Sequence, residues 1–248
     1  MLKEERQRRI LAILRERANA RTIDIAMELN VSRETVRRDL VELQGEGEIG
    51  RVHGGATINS SPPEEPFQLR MQLHRTEKLA IARRTASLLK DGEAVFLDAG
   101  TTTTILAEIL RDGPDVQVIT NLQSAATLLR DRAFMLGGRF SDSVPATFGE
   151  LTLANIRSFH VDVAIISPTG VDPEWGLSYY DVHECAVARA MCDQAQRTTV
   201  LADSSKIGVS SRVRLDGIET TDILVTDRHI DADLHAKLAK HVQVVLAP

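Results

Sequence analysis

The chain has 248 residues, 43% hydrophobic and 26% charged, a balance that fits one large globular domain or a small and a medium one. No apolar run approaches the roughly 20 residues of a transmembrane helix, and the N-terminus MLKEERQRRILAIL lacks the apolar core and cleavage site of a signal peptide, so a cytoplasmic protein with no membrane partner is expected. Net charge is −5, but residues 1–58 hold 11 basic against 10 acidic side chains and the remainder 19 against 25. The acidic excess belongs to the second part, and this charge and the second part's size exclude a DNA-architectural protein.

In chain order, residues 3–18 predict a helix with Ile10, Ile13 and Leu14 on its inner face. Arg6, Arg8, Arg9 and Arg15 are either phosphate contacts or solvated side chains. Thr22 is an expected N-cap for a second helix whose Ile25, Ala26 and Leu29 share a face. Asn30-Val31 breaks that pattern and Ser32 caps a third helix, in which Val36, Leu40 and Leu43 form the buried stripe. Ser32, Arg33, Glu34 and Thr35 make its exposed first turn, followed by Arg37 and Arg38. A helix of this kind can lie in a DNA major groove and show that turn to base edges. Gly45 and Gly47 end it, and Glu48–Val52 predicts a short strand. His53-Gly54-Gly55 then makes a turn able to approach a backbone closely. Arg51, His53, Gly54 and Gly55 complete the expected DNA-binding set.

Residues 59–74 are expected to be a linker, since NSSPPEEP at 59–66 suits neither helix nor central strand. A helix follows over Arg75–Leu89. Strands are predicted at Ala94–Asp98, Val116–Thr120, Ala133–Leu136, Val161–Ser167, Thr199–Ala202, Ile223–Thr226 and Val242–Leu246. Helices between them are predicted at Thr104–Arg111, Gln123–Arg130, Phe148–Ser158, Val182–Gln196 and Ala232–Lys240. Short Val/Ile-rich strands alternating with helices imply an α/β, mostly parallel, doubly wound sheet over 75–248. Cys185 and Cys192, seven apart in one helix, match no usual zinc spacing and are expected to be buried small apolar side chains, with no metal or cofactor.

In such sheets ligands bind beyond the carboxyl ends of the strands. There the chain places Asp98, Gly100, Thr101, Thr102 and Thr103, then Asn121, then Gly137, Gly138 and Arg139, then Gly170, then Asp203, Ser205 and Lys206. Backbone N–H groups, hydroxyls and a lysine suit a phosphate, and the carboxylates and amide suit hydroxyls of a sugar or polyol.

The run Val31-Ser32…Thr35-Val36-Arg37-Arg38-Asp39-Leu40…Arg51-Val52-His53-Gly54-Gly55-Ala56, with the later D-x-G-T-T, T-N, G-G and D-x-S-K elements, resembles the DeoR family of bacterial repressors. The resemblance implies a winged helix-turn-helix on a sensor domain with the fold of ribose-5-phosphate isomerase, without its activity. Tyr180-Asp181-Val182-His183-Glu184 and Arg189-Ala190-Met191 are similar to the glycerol-3-phosphate repressor branch. This implies effector roles for Asp181, His183 and Glu184 and favours glycerol 3-phosphate, although Ser167-Pro168-Thr169-Gly170 departs from the glycine-rich loop of that branch. The expected function is a repressor of a carbohydrate or polyol operon that binds double-stranded operator DNA and is controlled by a phosphorylated sugar or polyol, and the resemblance implies that this effector lowers DNA affinity. A homodimer or homotetramer is expected, because one nearly neutral reader offers few phosphate contacts. The alternative is an isomerase-like enzyme with an appended reader, for which Glu184, His183 or Asp98 would be the base.

Overall fold

The computed structural model describes residues 3–17, 19–45, 49–52, 55–58 and 64–248. They fall into two compact units, Met1–Glu64 and Glu65–Pro248.

The first unit contains α1 (Lys3–Arg17), β1 (Asn19–Arg21), α2 (Thr22–Glu28), α3 (Arg33–Gly45), β2 (Ile49–Val52) and β3 (Gly55–Ile58). Its core joins Ile10, Ile13 and Leu14 of α1, Ile25, Ala26 and Leu29 from α2, Val36, Leu40 and Leu43 of α3, and Ile49 and Ala56 of the sheet. The buried stripes therefore lie where the 3.6-residue period puts them. Asn30, in the left-handed region at φ 52°, makes the turn between α2 and α3, a conformation that asparagine tolerates. Two expectations are corrected. Arg21, not Thr22, is the residue before α2, and no side chain caps that helix. The three-residue β1 was not expected, and it pairs antiparallel with β3 to make a sheet of order β1-β3-β2. Ser32 does cap α3, its Oγ accepting the Thr35 N–H at 3.0 Å. Ser32→Ala should lower the melting free energy of this unit by about 1 kcal/mol, measurable by thermal denaturation.

The second unit begins with α4 (Phe67–Gln72) and α5 (Arg75–Ala86). Helix α4 lies inside the stretch expected to be linker. It is held by Phe67, buried in the main core, and by the Lys78 Nζ of α5, which donates to the Arg70 carbonyl at 2.6 Å. Then follow β4 (Ala94–Leu97), α6 (Thr101–Leu110), β5 (Gln117–Thr120), α7 (Gln123–Leu129), β6 (Ala133–Met135), β7 (Arg139–Phe140), β8 (Thr147–Phe148), α8 (Glu150–Ile156) and β9 (Val161–Ile166). The remainder is β10 (Gly170–Asp172), β11 (Gly176–Tyr179), α9 (Val182–Asp193), β12 (Ala195–Leu201), β13 (Val213–Asp216), β14 (Ile223–Thr226), α10 (Ala232–Leu238) and β15 (Gln243–Leu246).

Seven strands form a parallel sheet of order β15-β14-β12-β9-β4-β5-β6. Successive strand residues point to opposite faces, and Val95, Phe96 and Leu97 are all fully buried, so both faces are covered. After β4 the chain moves outward through β5 and β6. It then returns to the other side of β4 with β9 and moves outward again. The strand order thus reverses between β4 and β9. An antiparallel sheet, β10-β11-β13, and a hairpin, β7-β8, lie outside this frame. The antiparallel sheet covers a second core containing Ile166, Val171, Leu177, Tyr179 and Ala188.

Candidate functional site

In the first unit the exposed side of α3 carries Arg33, Glu34, Arg37 and Arg38. Glu34 accepts two bonds from Arg37, both at 2.8 Å, and one from Arg38 at 3.4 Å. The Arg37 guanidinium holds the Glu34 carboxyl down to about 2, so it is ionised throughout the neutral range. Ser32 and Thr35 share a hydroxyl contact at 2.8 Å. Arg6 is not the solvated side chain of one expectation. It crosses from α1 to the buried Asp39 of α3, with Nε to Oδ2 at 2.5 Å and Nη2 to Oδ1 at 3.0 Å. Arg9 pairs with Glu5 on the surface. His53, Gly54 and the side chains of Arg51 and Arg15 lie outside the described residues. Gly55 is a strand residue, and a Cβ there would stand 2.3 Å from the Ala20 carbonyl oxygen. Its missing side chain makes room for β1 of the same chain.

The second site stands at the reversal between β4 and β9, where open parallel sheets bind their ligands. Asp98 follows β4 and is fully buried. Its Oδ1 accepts the Ala99 N–H at 2.8 Å, and its Oδ2 accepts the Tyr179 hydroxyl at 2.8 Å. Burial pushes its carboxyl up to about 7, against the opposing pull of the Tyr179, Ala99 and Ser167 hydrogen bonds and of the Lys206 charge. Burial, with the Asp98 charge, raises the Tyr179 hydroxyl well above its ordinary value. Gly100 precedes α6, and a Cβ on it would come within 3.2 Å of Ser167. Thr101, Thr102 and Thr103 form the buried first turn of that ten-residue helix, the end that favours an anion.

From the far side, Lys206 Nζ donates to the Pro168 carbonyl at 3.2 Å. Lys206 belongs to a 3₁₀ turn, Ser204–Lys206, capped by Asp203. Asp203 Oδ1 accepts from both the amide and the hydroxyl of Ser205. Asn121 donates to the Thr147 carbonyl at 3.0 Å. Among the described residues Thr102 Oγ1, Asn121 Oδ1 and Asp203 Oδ2 are buried without a hydrogen-bond partner.

The structure divides the rest of the expected set. Gly137 donates its N–H to Asn155 Oδ1 at 3.0 Å, and a Cβ on Gly138 would lie 2.1 Å from Thr152 Oγ1. Both glycines let the chain pack against α8. Gly170 does the same against Val209, whose carbonyl oxygen would lie 2.3 Å from an added Cβ. Arg139, His183 and Glu184 line a separate cleft of about 400 Å³ with Phe140 and Phe148. Asp181 is there as the N-cap of α9, accepting the His183 and Glu184 N–H groups. The Glu184 charge also helps to raise the Tyr179 hydroxyl, after burial and Asp98. Tyr179 and Ser167 were missed. A buried tyrosine must place its hydroxyl, and one of only two in the chain, just ahead of Asp181, was the available signal. Cys185 is buried, Cys192 is half-buried, and burial raises both thiols. Among the described residues no cluster of three His, Cys, Asp or Glu side chains could hold a metal. No helix there is long and apolar enough to cross a membrane.

The description "DeoR-like helix-turn-helix domain" matches residues 6–62, and "DeoR C terminal sensor domain" matches residues 73–228. The chain is similar to the HTH-type transcriptional repressor GlcR of Bacillus subtilis (strain 168), at 35% identity over 92% of this chain and 90% of that protein. It is 31% identical to the glycerol-3-phosphate regulon repressor of Escherichia coli (strain K12), over 92% of each. The structure of ribose 5-phosphate isomerase A from Methanocaldococcus jannaschii aligns with 52% of each chain at 20% identity and a TM-score of 0.39. With a helix-turn-helix ahead of an α/β sensor unit, this chain belongs to the DeoR family of transcriptional regulators.

Proposed function

We propose that this chain is a cytoplasmic transcriptional repressor of a carbohydrate or polyol catabolic operon, released from its operator by a phosphorylated sugar or polyol, with glycerol 3-phosphate the first candidate. The observation that carries the effector half is the convergence of Lys206, Asp98, Ser167 and the first turn of α6 at the reversal of strand order. A cation, a helix N-terminus and a carboxyl able to exchange a proton near neutrality suit a phosphate joined to hydroxyls. The relatives named as repressors of a glycerol-3-phosphate regulon and of an aga operon support the same class of effector. Binding without turnover is supported by the placing of the three nominated bases: Asp98 is held by Tyr179 and Ala99, while His183 and Glu184 line the separate cleft. Incubation with ribose 5-phosphate or glycerol phosphates should give no product. The working form is a homodimer or homotetramer, which doubles the phosphate contacts of a nearly neutral reader.

Lys206→Ala tests this reading. Operator binding in a gel shift should stay near that of the parent. The glycerol 3-phosphate concentration for half-release should rise at least about tenfold, within the usual 5- to 150-fold range of coupling. An unchanged midpoint with every sugar phosphate tried would remove Lys206 from the site.

A further inference from the structure

Glu34, Arg37, Arg38 and Val41 stand at i, i+3, i+4 and i+7 on α3, and all four are exposed. They lie on the side away from the buried Val36 and Leu40. This spacing makes one stripe along a helix. It is also the spacing with which a helix lying in a major groove reaches successive base edges.

Arg37 is held in a particular way. Its Nε donates to Glu34 Oε2 and its Nη2 to Glu34 Oε1, both at 2.8 Å. A guanidinium is planar and carries five N–H donors. Two of its edges are forks able to grip two acceptors, Nε with Nη2 and Nη1 with Nη2. Glu34 takes the first fork and leaves the second, at the tip of the side chain, for another partner. A two-donor fork fits the O6 and N7 acceptors of guanine. Arg38 is held more weakly, by one bond of 3.4 Å through Nε. An exposed ion pair of this kind adds little to stability. Its effect here is to fix a guanidinium plane, so that less rotamer freedom is lost on binding. Glu34 also tolerates a groove flanked by phosphates because two arginines accompany it.

We propose that Arg37 reads a guanine in each operator half-site through its Nη1–Nη2 edge, and that Glu34 is the positioning residue that aims it. The inference rests on the reading of α3 as the operator reader.

The test is selection from a pool of random DNA duplexes by the full-length chain and its variants, followed by titration of the selected duplex and of duplexes changed at one base pair. The parent should select guanine at one fixed position per half-site. Arg37→Ala should lose about 5- to 150-fold discrimination at that position and keep its preferences elsewhere. Glu34→Ala should weaken the same preference at the same position, and Glu34→Asp should restore part of it. Circular dichroism should find all variants folded, since both side chains are exposed. Arg38→Ala should weaken binding to all sequences alike, with a shallower salt dependence.

Three results would overturn the proposal. Arg37→Ala could weaken all duplexes equally, which would make Arg37 a phosphate contact. The guanine preference could follow Arg38 instead. Glu34→Ala could leave the guanine preference intact or remove a cytosine preference elsewhere. A parent chain that selects no sequence at all would instead refute the DNA reading beneath it.

Discussion

Asp98→Asn should make the sensor unit more stable at neutral pH and flatten its pH dependence. Asp98 titrates near 7 in the folded chain but near 3.9 when unfolded. Between those values the folded state holds a proton that the unfolded state has lost. Stability from this group is therefore fully present below about pH 4 and falls as pH rises through 7. Most other carboxylates have finished titrating by pH 5, and groups common to both proteins, the seven histidines among them, cancel in the comparison of parent and variant from pH 5 to 8. Over that range the parent should lose about 3 kcal/mol that the asparagine variant keeps. Urea denaturation of both proteins across this range measures the difference. Equal slopes would mean that Asp98 is not the group titrating. The gain has a functional cost: the variant should respond poorly to effector, because its side chain can no longer exchange a proton beside Lys206.

Arg6→Ala should unfold the first unit while leaving the sensor intact. The substitution strands Asp39, which is only 2% exposed, without its cation. Breaking a buried pair on one side costs about 3–5 kcal/mol. A unit of this size has roughly 3–10 kcal/mol in total. Operator binding should vanish at 37 °C, and Arg6→Met combined with Asp39→Leu should recover the fold, since well-packed apolar replacements of buried pairs are often neutral. If Arg6→Ala folds normally and only the salt dependence of DNA binding changes, Arg6 is a phosphate contact after all.

The inner strands of the parallel sheet were legible because β4, β9 and β14 are short apolar runs buried on both faces, while the edge strands β6 and β15, more exposed, were legible from their place in the alternation with helices. The antiparallel sheet was not legible. Its strands GVD, GLSY and VRLD are three or four residues long and mix apolar with polar side chains. Only contact with the second core makes them strands. The same holds for β1, Asn19-Ala20-Arg21, which has no apolar run at all. Gly55 shows what missing β1 concealed: a glycine that needs space can be identified in a sequence, but not the neighbour that takes the space. Gly137, Gly138 and Gly170 repeat the lesson, each facing its own protein. Helix α6 begins three residues before its expected start, because threonine is a weak helix former whose burial here overrides its propensity. The polar ends of β4, β9 and β12 were legible, while Tyr179 could be placed against Asp98 only once β11 was known.

The two units have separate cores of very different extent, with eleven buried apolar side chains in the first among the described residues. Heating should therefore give two calorimetric transitions rather than one, so no single melting temperature describes the protein. A small core makes the first unit the less stable of the two. As temperature rises, the chain should lose its hold on DNA while it still recognises its effector, and added effector should raise only the upper transition. Thermal derepression would then occur without any inducer, as a result of domain size alone.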